Sequence, residues 1–310
     1  RAALTALAAG DVTAVAGVEP GDVPALLERS SASVHWSPRA NQVFIYYNLA
    51  LPFFEDAATR RALAAAIDRQ QLISGPLNGR ATANASIFPT WSWAAPTTQT
   101  NSPVGPQSAG AMLERAGWID SDRDGVRERA GVKLAFALLT SDSPTHIAVA
   151  SAIAQAWTQA GAAIEVHATD VRTLTSDYVQ PRRFEALLLE WSGLAADPDP
   201  YEFWHSTQRG SAGLNLTGFA SQTADELMER ARQTGDREQR RELYRRVAAL
   251  IEEQAPAIAL YEPHYGFAVA PALKRVSIGF IASPADRFRS FADWYIQTET
   301  LTTTRVVRSR

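Results

Sequence analysis

Between residues 134 and 191 short apolar runs alternate with stretches of helical period. Residues 134–139, 164–167 and 184–191 are too short for buried helices and read as strands. Residues 145–160 set Val149, Ile153, Ala156 and Trp157 on one face of a helix, and 171–179 read as a second helix. Strands and helices alternating at this spacing predict βαβ crossovers, which are almost always right-handed.

Upstream, 12–18, 34–36 and 43–47 read as strands. The last carries the β-branched and aromatic residues that suit a pleated surface. Residues 1–9 and 23–28 have helical composition. Asp56 predicts the cap of one helix over 57–73, with Leu63 and Ile67 sharing a face. Residues 78–107 are rich in Pro, Thr, Ser and Asn yet carry Trp91 and Trp93, which predicts a long ordered loop. Residues 108–116 form a helix stopped by Gly117 in a left-handed position.

Downstream, 222–233 and 237–254 are amphipathic helices, the second capped by Asp236 and ended by Pro256. Residues 257–261 and 266–270 read as two strands around a Glu262-Pro263-His264 turn, and 302–310 as a frayed polar end.

Residues 184–205 stand out. An apolar strand ends at Trp191; Ser192 and Gly193 follow, then Asp197-Pro198-Asp199-Pro200, then Tyr201, Phe203 and Trp204. In open α/β sheets ligands bind outside the carboxyl ends of the strands. These rings are therefore candidates for a pocket wall, with packing under a long loop as the competing reading. Trp91 and Trp93 are open to the same two readings.

Composition narrows the classes. The 310 residues are 46% hydrophobic and 20% charged, ordinary for a folded chain. The net charge of −3 gives no footprint for a nucleic-acid partner. There is no cysteine, which removes disulfides, thiol catalysis and thiolate metal sites. No apolar run reaches the roughly 18 residues of a membrane span. The chain starts at Arg1 without the pattern of a signal peptide and reads as part of a longer protein.

Motifs for chemistry are sparse. Asp120, Asp122 and Asp124, followed by Gly125, match the first half of a calcium loop, but Gly131 stands where the twelfth-position glutamate belongs. A solvated turn is the preferred reading, calcium the weaker one. The five histidines are scattered, without HExxH or i, i+4 spacing. Asp197 and Asp199 suit turn-making; as an acid/base pair they would need a separation that spacing does not show.

Four stretches, 53–73, 109–128, 185–206 and 236–261, resemble in order and spacing the C-terminal part of the family 5 extracellular solute-binding proteins, the peptide, dipeptide and nickel receptors of ABC importers. The resemblance implies an α/β fold: a periplasmic-binding-protein-like (type II) lobe, a mixed sheet flanked by helices, with extra segments from the partner lobe. It sets 1–48 at the end of a lobe-one segment, 49–262 as the C-terminal lobe, and 263–310 as the return to lobe one and the tail. It implies no catalysis and no cofactor. The partners are a small-molecule or peptide ligand and ABC permease subunits, in an extracytoplasmic setting, with membrane association only through a lipid anchor absent from this chain. A sensory domain of the same fold in a regulator is the alternative, and a carboxylate-dependent hydrolase a more distant one.

Carried over residue by residue, Trp191 resembles the family tryptophan that lines the pocket, with Ser192 and Gly193 at the cleft. Amine-binding members place a carboxylate three residues after that tryptophan, where this chain has Leu194. The departure favours a neutral or blocked ligand, or one held another way, unless Asp197 substitutes. The expected ligand-binding set is Trp191, Ser192, Gly193, Leu194, Asp197, Tyr201 and Trp204.

Overall fold

Every side chain of the strand Gln42–Tyr47 is buried. Alternate residues point to opposite faces, so Val43, Ile45 and Tyr47 enter one hydrophobic core while Phe44 and Tyr46 enter another. A strand with two apolar faces belongs in the middle of a sheet covered on both sides. The computed structural model, which describes residues 2–96 and 105–298, shows that arrangement. The frayed end expected over 302–310 and part of the 78–107 loop lie outside the described residues.

The chain divides into two compact units: 1–37 with 265–310, and 38–264. In the unit 38–264 the strand Gln42–Tyr47 is antiparallel to residues 257–261 on one side and to Ala186–Trp191 on the other. Ala135–Ser141 runs parallel to Ala186–Trp191 and to Ala163–Thr169. The short strand Ala81–Ala83 adds an antiparallel partner to residues 261–263. The sheet is thus mixed, and its parallel part comes from the predicted βαβ alternation.

Helices Ala57–Ala65, Gly105–Arg115 and Pro144–Gln159 cover the Val43 face, where Trp157 is fully buried and its indole N–H donates to Leu63 O at 2.8 Å. Helices Gln222–Gln233 and Arg237–Gln254 cover the Phe44 face through Leu227, Met228, Tyr244, Val247 and Ile251.

Three expectations are corrected. The helix expected over 57–73 is two, Ala57–Ala65 and Arg69–Ser74. Asp68 accepts from the backbone N–H groups of Gln70 and Gln71 and so caps a new start. The helix expected over 171–179 begins as one α-turn, Val171–Thr173, and continues as a wider π-turn, Leu174–Val179. The turn expected at Glu262-Pro263-His264 is instead the middle of one 13-residue strand. Proline lacks one donor, but its φ is tolerated beside a short edge strand, and here Pro263 faces Ala81.

In the other unit, Ala14–Val18 pairs antiparallel with residues 266–269. Gly266 is required there, since a Cβ would lie 2.4 Å from Val18 O and 3.0 Å from the Trp36 ring. Among the described residues no helix is long and apolar enough to cross a membrane.

Candidate functional site

A cavity of about 430 Å³ opens at the carboxyl end of Ala186–Trp191, within the unit 38–264. Its position follows from topology: the parallel strands end there, and the chain leaves the sheet through Ser192 and Gly193, the latter at φ +68°.

Trp191 is half-buried on the cavity wall. Its indole Nε1–H donates to the Tyr46 hydroxyl at 2.7 Å, and Phe203 packs against it at 5.1 Å in an edge-on arrangement of 72°. Its direct cross-strand neighbour is Gln42, so the two side chains leave the sheet on the same face. Burial pushes the Tyr46 phenol well above its ordinary range, against the Trp191 hydrogen bond, so Tyr46 stays neutral. Trp204, 3% exposed, stacks on Tyr46 at 6.1 Å and forms the back of the cavity.

The remaining expected site residues divide. Ser192 and Gly193 are exposed on the rim; Leu194 is half-buried and its N–H donates to Ala40 O at 2.9 Å. Asp197, also on the wall, pairs with Arg240 at 2.7 Å and accepts from the Trp93 indole at 3.2 Å. The Arg240 hydrogen bond holds its carboxyl below the ordinary range. Asp199 is paired with Arg232 at 2.6 Å. Two carboxylates each engaged by an arginine make an anchored loop. Tyr201 stands off the cavity wall: it is layered between Arg232, 3.8 Å above its ring, and His205, stacked at 4.0 Å. Trp93 stacks on Tyr244 at 5.8 Å under Arg237 and Arg240. Neither Trp91 nor Trp93 lines this cavity.

Behind the wall sits a charged cluster. Glu190 pairs with Arg39 at 2.8 Å, accepts from the Asn41 amide, and lies 3.3 Å from His146 Nε2, whose Nδ1 is 2.6 Å from Ser141 Oγ. Burial alone would raise the Glu190 carboxyl; His146, Arg39 and Asn41 together hold it below its ordinary range. Ser141 is 5% exposed, so the cluster fixes the ends of three chain segments rather than presenting a nucleophile.

The acidic turn is self-contained. Carboxylate oxygens of Asp120, Asp122 and Asp124 lie within 4.8 Å of one another. Lys133 Nζ pairs with Asp122 at 3.2 Å and with Asp124, and Gly125 N–H donates to Asp120. An internal ammonium thus supplies the positive charge to two of the three carboxylates.

Gln42 and Tyr46 belong to the cavity wall but were not expected there, whereas Phe203 was a candidate wall ring left out of the expected ligand-binding set. A single glutamine beginning a strand of five apolar and aromatic residues is the signal that points to the first of them.

The description "Bacterial extracellular solute-binding proteins, family 5 Middle" matches residues 1–213. The oligopeptide-binding protein AppA of Bacillus subtilis is 25% identical over 302 residues, 96% of this chain and 54% of that protein. A dipeptide-binding protein of Pseudomonas aeruginosa is 25% identical over 294 residues, 90% of this chain and 52% of its own length. This chain therefore spans about half the length of the relatives it matches. The solved structure of AppA in complex with a nonapeptide superposes with a TM-score of 0.81 at 25% identity, over 96% of this chain and 58% of that one. NikZ from Campylobacter jejuni in complex with Ni(L-His) gives 0.80 at 19% identity, over 94% and 59%, a likeness of fold.

Proposed function

The chain belongs to the bacterial extracellular solute-binding proteins, family 5, and from that premise we propose that it captures a peptide-like or other small polar solute for an ABC importer. On this reading the unit 38–264 is one lobe of a two-lobed receptor that works outside the cytoplasm, and it offers the ligand the cavity beside Trp191. Permease subunits of the importer are the protein partners.

The observation that carries the reading is the half-buried Trp191 on the wall of a cavity at the carboxyl end of the sheet. An indole held by Tyr46 and Phe203 offers a rigid apolar face at low entropic cost. Ser192, Gly193, Leu194 and Asp197 supply the rim and Trp204 the back, with Tyr201 supporting the loop from outside. AppA and the Pseudomonas aeruginosa protein are named for oligopeptide and dipeptide binding, which supports a peptide-like ligand. Leu194, in place of a carboxylate, supports one without an exposed free amine at that point.

The test is native mass spectrometry of the full-length protein purified from its source. A retained small molecule, lost from Trp191→Ala, is expected. Retention of that molecule by Trp191→Ala at unchanged affinity would overturn the placement of the site.

A further inference from the structure

We infer that Gln42 is a ligand-binding residue, accepting a hydrogen bond from an N–H or O–H group of a ligand that carries no net negative charge. The inference rests on the cavity beside Trp191 being the ligand site.

Gln42 begins the central strand and is fully buried. Its Nε2 donates to the carbonyl of Ser86 at 2.6 Å, which settles which end of the amide is which. The other end, Oε1, is buried without a hydrogen-bond partner. Buried acceptors are nearly always matched, because leaving one empty forfeits the hydrogen bond it made to water. Gln42 is also part of the cavity wall, directly across the strand pair from Trp191. An acceptor whose amide is held by Ser86, on a residue of an aromatic cavity's wall, is placed to receive a donor from a ligand that packs against it.

The surrounding charges set the class. Among the described residues, Asp197, Asp199 and Glu202 are on the wall, and no Lys or Arg is. Arg240 and Arg232 pair with the first two, and the exposed Glu202 makes no direct ion pair among the described residues, its nearest cationic influence being the same Arg232. An anionic ligand would meet carboxylates and no cation. A neutral amide or hydroxyl, or a cation, meets an acceptor at Gln42 and a neutral phenol at Tyr46.

The experiment uses three alanine tripeptide probes with the full-length protein: the cationic amide with a free amine, the neutral N-acetyl amide, and the anionic N-succinyl acid. Isothermal titration is run on the parent, Gln42→Leu, Gln42→Glu and Trp191→Ala. The neutral probe is expected to bind the parent at least tenfold more tightly than the anionic one. Gln42→Leu should weaken the neutral probe about fivefold to tenfold, the scale of one hydrogen bond. Gln42→Glu, which keeps an acceptor, should shift preference toward the cationic probe, a change that a merely structural role would not produce. If Gln42→Leu does not fold, Gln42→Met carries the same comparison.

Unchanged binding in Gln42→Leu alongside weakened binding in Trp191→Ala would sink the role of Gln42 and leave the cavity reading intact. Unchanged binding in Trp191→Ala would remove the cavity and the inference together. Tightest binding of the anionic probe, or binding of none of the three, would overturn the ligand class.

Discussion

The indole of Trp191 is tied to the hydroxyl of Tyr46, 145 positions away in the chain, by a 2.7 Å hydrogen bond. Two neighbouring strands are thereby joined through side chains as well as backbone, and the ring on the cavity wall is held at one orientation. Tyr46→Phe removes the acceptor and leaves the ring in place. The expected cost is about 0.5–1.5 kcal/mol in stability, read by urea unfolding. Broader tryptophan emission and weaker ligand binding should accompany it. A variant matching the parent in both would show the tie to be incidental.

Leu194 stands half-buried on the cavity rim, its backbone N–H donated to Ala40 O. On the proposed reading, Leu194→Asp adds to the cavity a carboxylate able to pair with a ligand ammonium. In the full-length protein it should tighten binding of free-amine peptides by about tenfold, an increment of about 1.4 kcal/mol. Unchanged binding across a peptide panel would count against the proposed pocket.

The legible part of the fold was the part with a repeating pattern. Val149, Ile153, Ala156 and Trp157 gave the helix Pro144–Gln159, and the apolar run before Trp191 gave its strand. Where a single polar contact decides, pattern was blind. Asp68 divides one apparent helix because its carboxylate reaches two backbone N–H groups, and the apolar spacing runs on regardless. Pro263 read as a breaker, yet tertiary pairing outweighs that preference within a strand of 13 residues. At the cavity, the residues expected after Trp191, namely Ser192, Gly193, Leu194 and Asp197, lie in the same stretch of chain; Gln42 and Tyr46 arrive from a distant strand, and only its register brings them there.

Two carboxyls, the half-buried Glu190 and the buried Glu262, should pull acid stability in opposite directions. Glu190 lies below its ordinary 4.5 in the fold, so the unfolded chain binds its proton more readily. Its contribution is present above pH 4.5 and lost as pH falls. Glu262 is raised above 4.5 by burial, against hydrogen bonds from Thr90 and Asn84. Its contribution is fully present below 4.5 and lost as pH rises through the folded value. Guanidinium unfolding across pH 3–8 should therefore show a flatter acid limb for Glu190→Gln and a steeper net one for Glu262→Gln. Parallel profiles for both variants would refute the assignment.

The long helix Arg237–Gln254 ends at Ala255, which is left-handed at φ 44°, ψ 48°. Arg60, 3% exposed, gathers the carbonyls there: Nε donates to Gln254 O and Ala255 O, both at 3.1 Å, and Nη1 to Phe54 O at 2.5 Å. Arg60→Ala strands several buried acceptors and should cost about 3 kcal/mol or more. Ala255→Gly relieves the left-handed strain and should gain about 1 kcal/mol. Thermal melts of the two variants check both signs.

The Asp120–Asp124 turn should be indifferent to calcium, because Lys133 already bridges two of its carboxylates. Saturating calcium should move Tm by no more than about 1 °C, whereas specific occupancy at a hundredfold excess over Kd would add about 2.7 kcal/mol. Lys133→Ala is the sensitised control: calcium stabilisation appearing only in that variant would confirm that the lysine occupies the cation's place.

The 310 residues contain no cysteine, and Ser192 is exposed at the rim next to the Trp191 indole. A thiol installed at position 192 would be unique in this chain and could carry a dye without cross-labelling. Indole quenches many fluorophores on contact, so a solute displacing the dye from the ring would brighten it, and the protein would report its own occupancy.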